Sequence, residues 1–189
     1  MTNDAFVVEA LTKDREKDFW KLHCDEVDHG WCCCTAWWAP SFKVFSKRTA
    51  KENKAEREKL FGSQEYDGFI LYEDENPIGW CQCGSRNRLV MLCKYYKIEL
   101  KEDEDEIQAI TCLFLHPSHR AKGLAKVLLF GVLDHLRKAG KEKVQAFPRS
   151  GDNRPPGEIW TGPTKLFTKA GFEKIGGSDE MPILELSLT

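Results

Sequence analysis

One stretch constrains this chain more than any other. Ile107-Gln-Ala-Ile-Thr-Cys-Leu-Phe-Leu115 is an apolar run of a length suited to a buried strand. It breaks at His116-Pro117, and Arg120-Ala-Lys-Gly123-Leu-Ala125 leads on into an amphipathic segment at about 123–138. There Leu124, Val127, Leu128, Gly131, Val132 and His135 are spaced to share an inner face, and Gly140 stops the helix. Gly123 lets a backbone approach a ligand closely, and Ala125 keeps that surface low. The N–H groups of the first helical turn then point at an anion, and a pyrophosphate suits such a site. The short pattern is common by itself; its place between a buried strand and a helix is what discriminates. Neither a G-x-x-x-x-G-K-[ST] phosphate loop nor a G-x-G-x-x-G turn after a first strand is present.

The remaining segments predict mixed α/β order with an antiparallel front half. Residues 5–11 read as a strand, and Thr12 as the cap of a helix at 13–27 whose face carries Phe19, Leu22, His23, Glu26 and Val27. Residues 28–45 form an apolar loop, and 46–61 a charged helix with Ser46 as cap. Residues 68–73 and 78–84 read as a hairpin turning at Asp74-Glu75-Asn76-Pro77. Residues 85–106 are mixed and end in the acidic run 102–106. Strands at 143–147 and 183–188 flank a Pro- and Gly-rich loop at 148–159, read as a lid, and a helix at about 162–170.

Composition narrows the function classes. The 189 residues are 41% hydrophobic, 31% charged and 11% aromatic with a net charge of −2, so the chain can build one packed domain spanning 1–189. No apolar run reaches the roughly 18 residues of a membrane span. The polar, acidic start does not read as a signal peptide. A sequence pI of about 6.2 gives no reason to expect a nucleic-acid partner. Eight cysteines, several within strand-like runs, read as reduced thiols in a cytoplasmic protein.

The segment from Ile107 to Ala125 resembles the GNAT superfamily of acetyl-CoA-dependent N-acetyltransferases, whose [QR]-x-x-G-x-[GA] signature is matched by Arg120, Gly123 and Ala125. Leu166-Phe-Thr-Lys-Ala-Gly171-Phe172 is similar to the family's L-Y-x-x-x-G-F segment. The likeness is tight over about 107–188 and rests on element order before that. It implies an α/β (mixed α+β) fold: a central, mostly antiparallel twisted sheet, flanked by helices and split between the fourth and fifth strands. It implies acetyl-CoA as co-substrate, with pyrophosphate on the backbone of Arg120, Ala121, Lys122, Gly123, Leu124 and Ala125. The pantetheine arm would lie along Leu113, Phe114 and Leu115 and near Phe167. N–H near Leu115 would polarise the thioester. The family's phenolic acid is replaced by Phe167 and its usual asparagine by Trp160. That leaves water or a hydroxyl to protonate the departing thiolate.

The activity implied is direct acetyl transfer to a primary amine of a small molecule or peptide, in a ternary complex and without an acyl-enzyme. The alternative is a non-catalytic acyl-CoA-binding sensor or regulator on the same fold, which the missing tyrosine favours slightly. Glu106 is the candidate general base, acting through water. Trp31, Trp37 and Trp38 are candidates for the wall of an acceptor pocket, against the plainer reading that they cover the sheet. His116 and His119 read as structural, and the acidic run as a solvated face. Cys32-x-Cys34 with Cys81-x-Cys83 could offer four thiolates to zinc, but the spacing is wrong for a knuckle, and no metal is expected. A thiol-based redox or metal protein is the third reading, on cysteine count alone. Cys112 lacks a committed base for nucleophilic work. Partners expected are the amine acceptor and, at most, a second copy of the chain as a homodimer.

Overall fold

The structure, a computed structural model, describes residues 5–23, 30–99, 107–149 and 159–189. Its centre is a seven-stranded sheet in the order β1-β2-β3-β4-β5-β7-β6. The strands are β1 (Phe6–Ala10), β2 (Phe69–Glu73), β3 (Asn76–Ser85), β4 (Ile107–Leu115), β5 (Lys143–Ala146), β6 (Glu173–Gly177) and β7 (Pro182–Ser187). Every pairing is antiparallel except β4 with β5. That one parallel pair requires the crossover made by α5 (Leu124–Lys138).

The crossover helix packs by its apolar stripe. Leu124, Leu128, Leu129, Val132, Leu133 and Leu136 are buried, in one cluster with Leu71, Ile110 and Val144. The stripe is rotated from the sequence reading, because Val127 is 37% exposed while Leu129, Leu133 and Leu136 turn inward. Gly131 lets the helix sit on β1, since a Cβ there would come within 2.4 Å of the Val8 side chain. His135 Nε2 also meets the Val8 carbonyl at 2.7 Å.

The opposite face of the sheet carries α1 (Glu16–His23), with Phe19 packed edge-on to Trp80 at 4.9 Å. A 3-10 turn at Lys13–Arg15 precedes α1, and Thr12 makes no side-chain cap bond. The last turn of the helix expected at 13–27, residues 24–27 with Glu26 and Val27, lies outside the described residues. The helix expected at 46–61 begins later, as α3 (Ala50–Gly62) capped by Thr49 rather than Ser46, and a short α2 (Phe42–Phe45) capped by Ser41 lies within the segment expected to be a loop. Thr49 Oγ1 accepts from Glu52 N–H at 3.2 Å, and the Glu52 carboxylate accepts from Thr49 N–H at 2.7 Å. This reciprocal cap holds the start of a helix with no apolar stripe of its own. Thr49→Ala is expected to cost about 1 kcal/mol, read as a lower urea midpoint at unchanged slope.

Three further differences from the sequence reading have local causes. The hairpin turn tightens to Asp74-Glu75, with Asp74 at φ 53°, and Pro77 joins β3 opposite Tyr72 beside a bulge. Val90–Tyr96 forms α4 within the segment read as mixed. β6 is an edge strand, mostly exposed, so it lacks the alternating burial that marks a strand in sequence. No helix among the described residues is long and apolar enough to cross a membrane.

Candidate active site

The sheet opens where β4 outruns β5. Parallel pairing runs from Ile107–Lys143 to Ile110–Ala146 and ends there, while β4 continues to Leu115. On the other side β3 stays paired to Leu115, with a register shift opposite Ile110–Cys112. The unpaired edge of β4 therefore begins at Thr111. The Leu113 N–H donates to the Trp160 carbonyl at 2.8 Å, and Arg120 Nε donates to the Leu115 carbonyl at 3.0 Å.

The turn after β4 is built for close approach. Pro117–His119 forms a 3-10 turn, and a chain of contacts runs from His116 through Ser118 and His119 to Glu73. Ala121 and Gly123 have φ 60° and 79°, and a Cβ at Gly123 would meet nothing within 4 Å. The surface over α5 is thus open. Leu124 and Ala125 sit in the first turn, where N–H groups have no carbonyl one turn back to bond. Arg120 N–H already donates to the Pro117 carbonyl at 3.3 Å, so the donors available to an anion begin at Ala121. The strand edge and the turn together fit a pantetheine arm and a pyrophosphate.

A cavity of about 430 Å³ runs inward from Arg120 along Leu113, Phe114 and Leu115. Trp31, Trp37, Phe42, Phe45 and Trp160 wall it, and His23, Cys32, Cys34 and Cys112 also line it. Trp31 stacks on Phe45 at 5.0 Å, and Trp37 meets Trp160 at 5.8 Å. Trp38 is not among the lining residues; its ring lies against the Arg57 guanidinium at 5.2 Å. Phe167 is fully buried against Phe172 at 5.3 Å, and its ring lies close to where a Cβ on Gly162 would sit. Glu106 and residues 150–158 of the expected lid lie outside the described residues.

Polar residues of α3 hold the cysteine turn, and no sequence signal marked them. Asn53 and Arg57 are spaced to share one face of α3, and both are fully buried. Asn53 Nδ2 donates to the Trp31 carbonyl at 3.0 Å and Thr35 Oγ1 donates to Asn53 Oδ1 at 3.2 Å. Arg57 donates to the carbonyls of Cys33 at 3.0 Å and Cys34 at 2.6 Å, and to Gln82 Oε1 at 3.1 Å. Cys33 and Cys34 have φ 41° and 49°, a conformation ordinary side chains seldom adopt. Among the described residues no disulfide joins the seven cysteines, and no group of three or more His, Cys, Asp or Glu side chains is placed to hold a metal ion.

Comparison with known proteins agrees with this architecture. None of the curated proteins matches the chain in sequence. Solved structures share its fold along nearly the whole length. An N-acetyltransferase from Staphylococcus aureus Mu50 is 15% identical with a TM-score of 0.54, covering 97% of this chain and 99% of its own. The paiA N-acetyltransferase of Thermoplasma acidophilum, solved with coenzyme A, is 13% identical with a TM-score of 0.52, covering 96% and 98%. The putative acetyltransferase yncA of Salmonella typhimurium, solved with acetyl-CoA, is 16% identical with a TM-score of 0.53, covering 98% and 95%. The Acetyltransferase (GNAT) family matches residues 31–155, more than half of the sequence, and the chain belongs to that family.

Proposed function

We propose that this chain moves the acetyl group of acetyl-CoA to a primary amine of a small molecule or peptide, directly and within a ternary complex. The observation that carries this reading is the junction of three features. The unpaired edge of β4 beyond Ile110, the left-handed turn before α5 and one cavity reaching back to the tryptophans all meet at Arg120. The N–H groups of Ala121 to Ala125 would hold the pyrophosphate. Leu113 and Leu115 would hold the pantetheine arm, once the Trp160 carbonyl gives up its bond to Leu113. Trp31 and Trp37 would flank the acceptor. Holding amine and thioester together supplies most of the rate, because the encounter becomes effectively unimolecular. Glu106 keeps the role of base through water. A binding-only module is the second reading, favoured by Phe167, which carries no hydroxyl and sits in the core.

A panel of primary amines, with free coenzyme A thiol as the readout, separates the two. An acetyltransferase releases thiol in proportion to one class of amine and yields its N-acetyl product. Saturable acetyl-CoA binding without amine-dependent thiol release across the panel would establish the binding module instead.

A further inference from the structure

The wall of the cavity holds a thiol, an imidazole and an orienting carbonyl in contact. His23 is 3% exposed, stacked on Phe19 at 4.1 Å and edge-on to Trp80 at 5.5 Å. Its Nδ1 lies 3.1 Å from the Phe19 carbonyl. A carbonyl can only accept, so Nδ1 carries the hydrogen and Nε2 is left as the basic nitrogen. The His23 side chain is hydrogen-bonded to the Cys34 thiol, which is also bonded to the Cys112 thiol. All three side chains line the cavity beside Leu113–Leu115. A nucleophile, a base within hydrogen-bond reach and a third group orienting the base are the signature of an activated nucleophile.

The electrostatics bear on the same cluster of side chains. The Cys112 and His23 hydrogen bonds, helped by the Arg57 charge and opposed by burial, hold the Cys34 thiol well below the usual range. Burial pushes the thiols of Cys81 and Cys83 up, and Cys32 rises to about 12. The backbone is arranged to the same end. The left-handed pair Cys33-Cys34 is kept by two carbonyl bonds to a buried guanidinium, and such strained conformations cluster at working sites.

We propose that Cys34 is an acyl acceptor, which takes the acetyl group from acetyl-CoA to become an S-acetyl thioester when no amine occupies the pocket. The inference rests on acetyl-CoA entering the split of the sheet. The Cys34 proton passes to His23 Nε2, and Sγ attacks the thioester carbonyl carbon. The new C–Sγ bond forms as the carbon–sulfur bond to coenzyme A breaks. The imidazolium returns its proton to the departing thiolate, so the products are S-acetyl-Cys34 and free coenzyme A thiol. His23 thereby does the work for which Phe167 has no hydroxyl. Exchanging one thioester for another is nearly balanced in energy and needs no oxidant or reductant.

The test is intact mass followed by peptide mapping, on protein mixed with acetyl-CoA and no amine. The expected result is one acetyl group, located on Cys34, absent in Cys34→Ser and strongly reduced in His23→Gln. An amine added afterwards that carries off the label would keep this proposal and replace direct transfer as the route. No adduct, with acetyl-CoA binding shown by calorimetry, would overturn the proposal while leaving the cofactor site intact. Absence of acetyl-CoA binding would defeat the proposed function first. A second probe is independent of coenzyme A: iodoacetamide at about pH 6 should alkylate Cys34 about tenfold faster than a free cysteine, and His23→Gln should remove that advantage. Alkylation of Cys34 at the ordinary rate would overturn the proposal whether or not the variants fold.

Discussion

Arg57→Ala is expected to lower stability by about 3–5 kcal/mol, from the loss of charge-assisted hydrogen bonds to buried acceptors together with a buried side chain. The guanidinium is fully buried, spans the gap between α3 and the cysteine turn, and also reaches β3 through Gln82. Its planar group also lies against the rings of Phe19 at 5.1 Å and Phe61 at 5.7 Å. Alanine leaves a void and strips the donors from two carbonyls held in a left-handed turn. Each orphaned carbonyl costs about 1–3 kcal/mol unless water enters. The melting temperature should fall by about 10 °C or more for a chain of this size. Arg57→Lys should fall in between, because an ammonium keeps the charge but loses the fork that reaches both carbonyls. A loss below about 1 kcal/mol in Arg57→Ala would show that the cysteine turn holds its shape without the arginine.

Gly123→Val is expected to separate binding from folding. Gly123 sits at φ 79° at the start of α5, and a side chain there would meet nothing within 4 Å. The cost is therefore backbone strain of about 1–3 kcal/mol for a β-branched residue in that region. The chain can relieve it by moving the turn, and the turn is what presents the N–H groups of Leu124 and Ala125. Acetyl-CoA affinity should weaken about a hundredfold, equivalent to about 3 kcal/mol, while the far-UV spectrum is retained. Unchanged affinity in a calorimetric titration would remove the turn from the cofactor site.

The second half of the chain was legible because its signals are local. A nine-residue apolar strand, a His-Pro break, a glycine and an amphipathic helix each follow from neighbouring residues, and β4, the turn and α5 stand where they were expected. The split of the sheet followed from the family resemblance, not from periodicity. The cysteine segment was legible only in part. Trp31 and Trp37 line the cavity, but Trp38 turns to Arg57. The reason is that Arg57 lies on a helix that looks wholly solvated in sequence. Its charged residues surround two inward positions, Asn53 and Arg57, whose partners are backbone carbonyls more than twenty residues away. Backbone acceptors leave no mark in a sequence. The meeting of His23, Cys34 and Cys112 was hidden for a related reason. A helix, a turn and a strand bring them together, and the sequence shows the cysteines one by one without showing that an imidazole meets them.

A crystal structure with acetyl-CoA bound tests the proposed site most directly. The expected complex has the pyrophosphate against the N–H groups of Ala121 to Ala125 and the pantetheine arm along Leu113–Leu115, in the gap where β4 has no β5 partner. The Trp160 carbonyl should be displaced from Leu113 N–H, and the thioester should lie in the cavity beside Cys112 and Cys34. Acetyl-CoA bound away from this gap, or a complex in which Leu113 N–H keeps its bond to Trp160 and the turn at Gly123 touches no phosphate, would contradict the account.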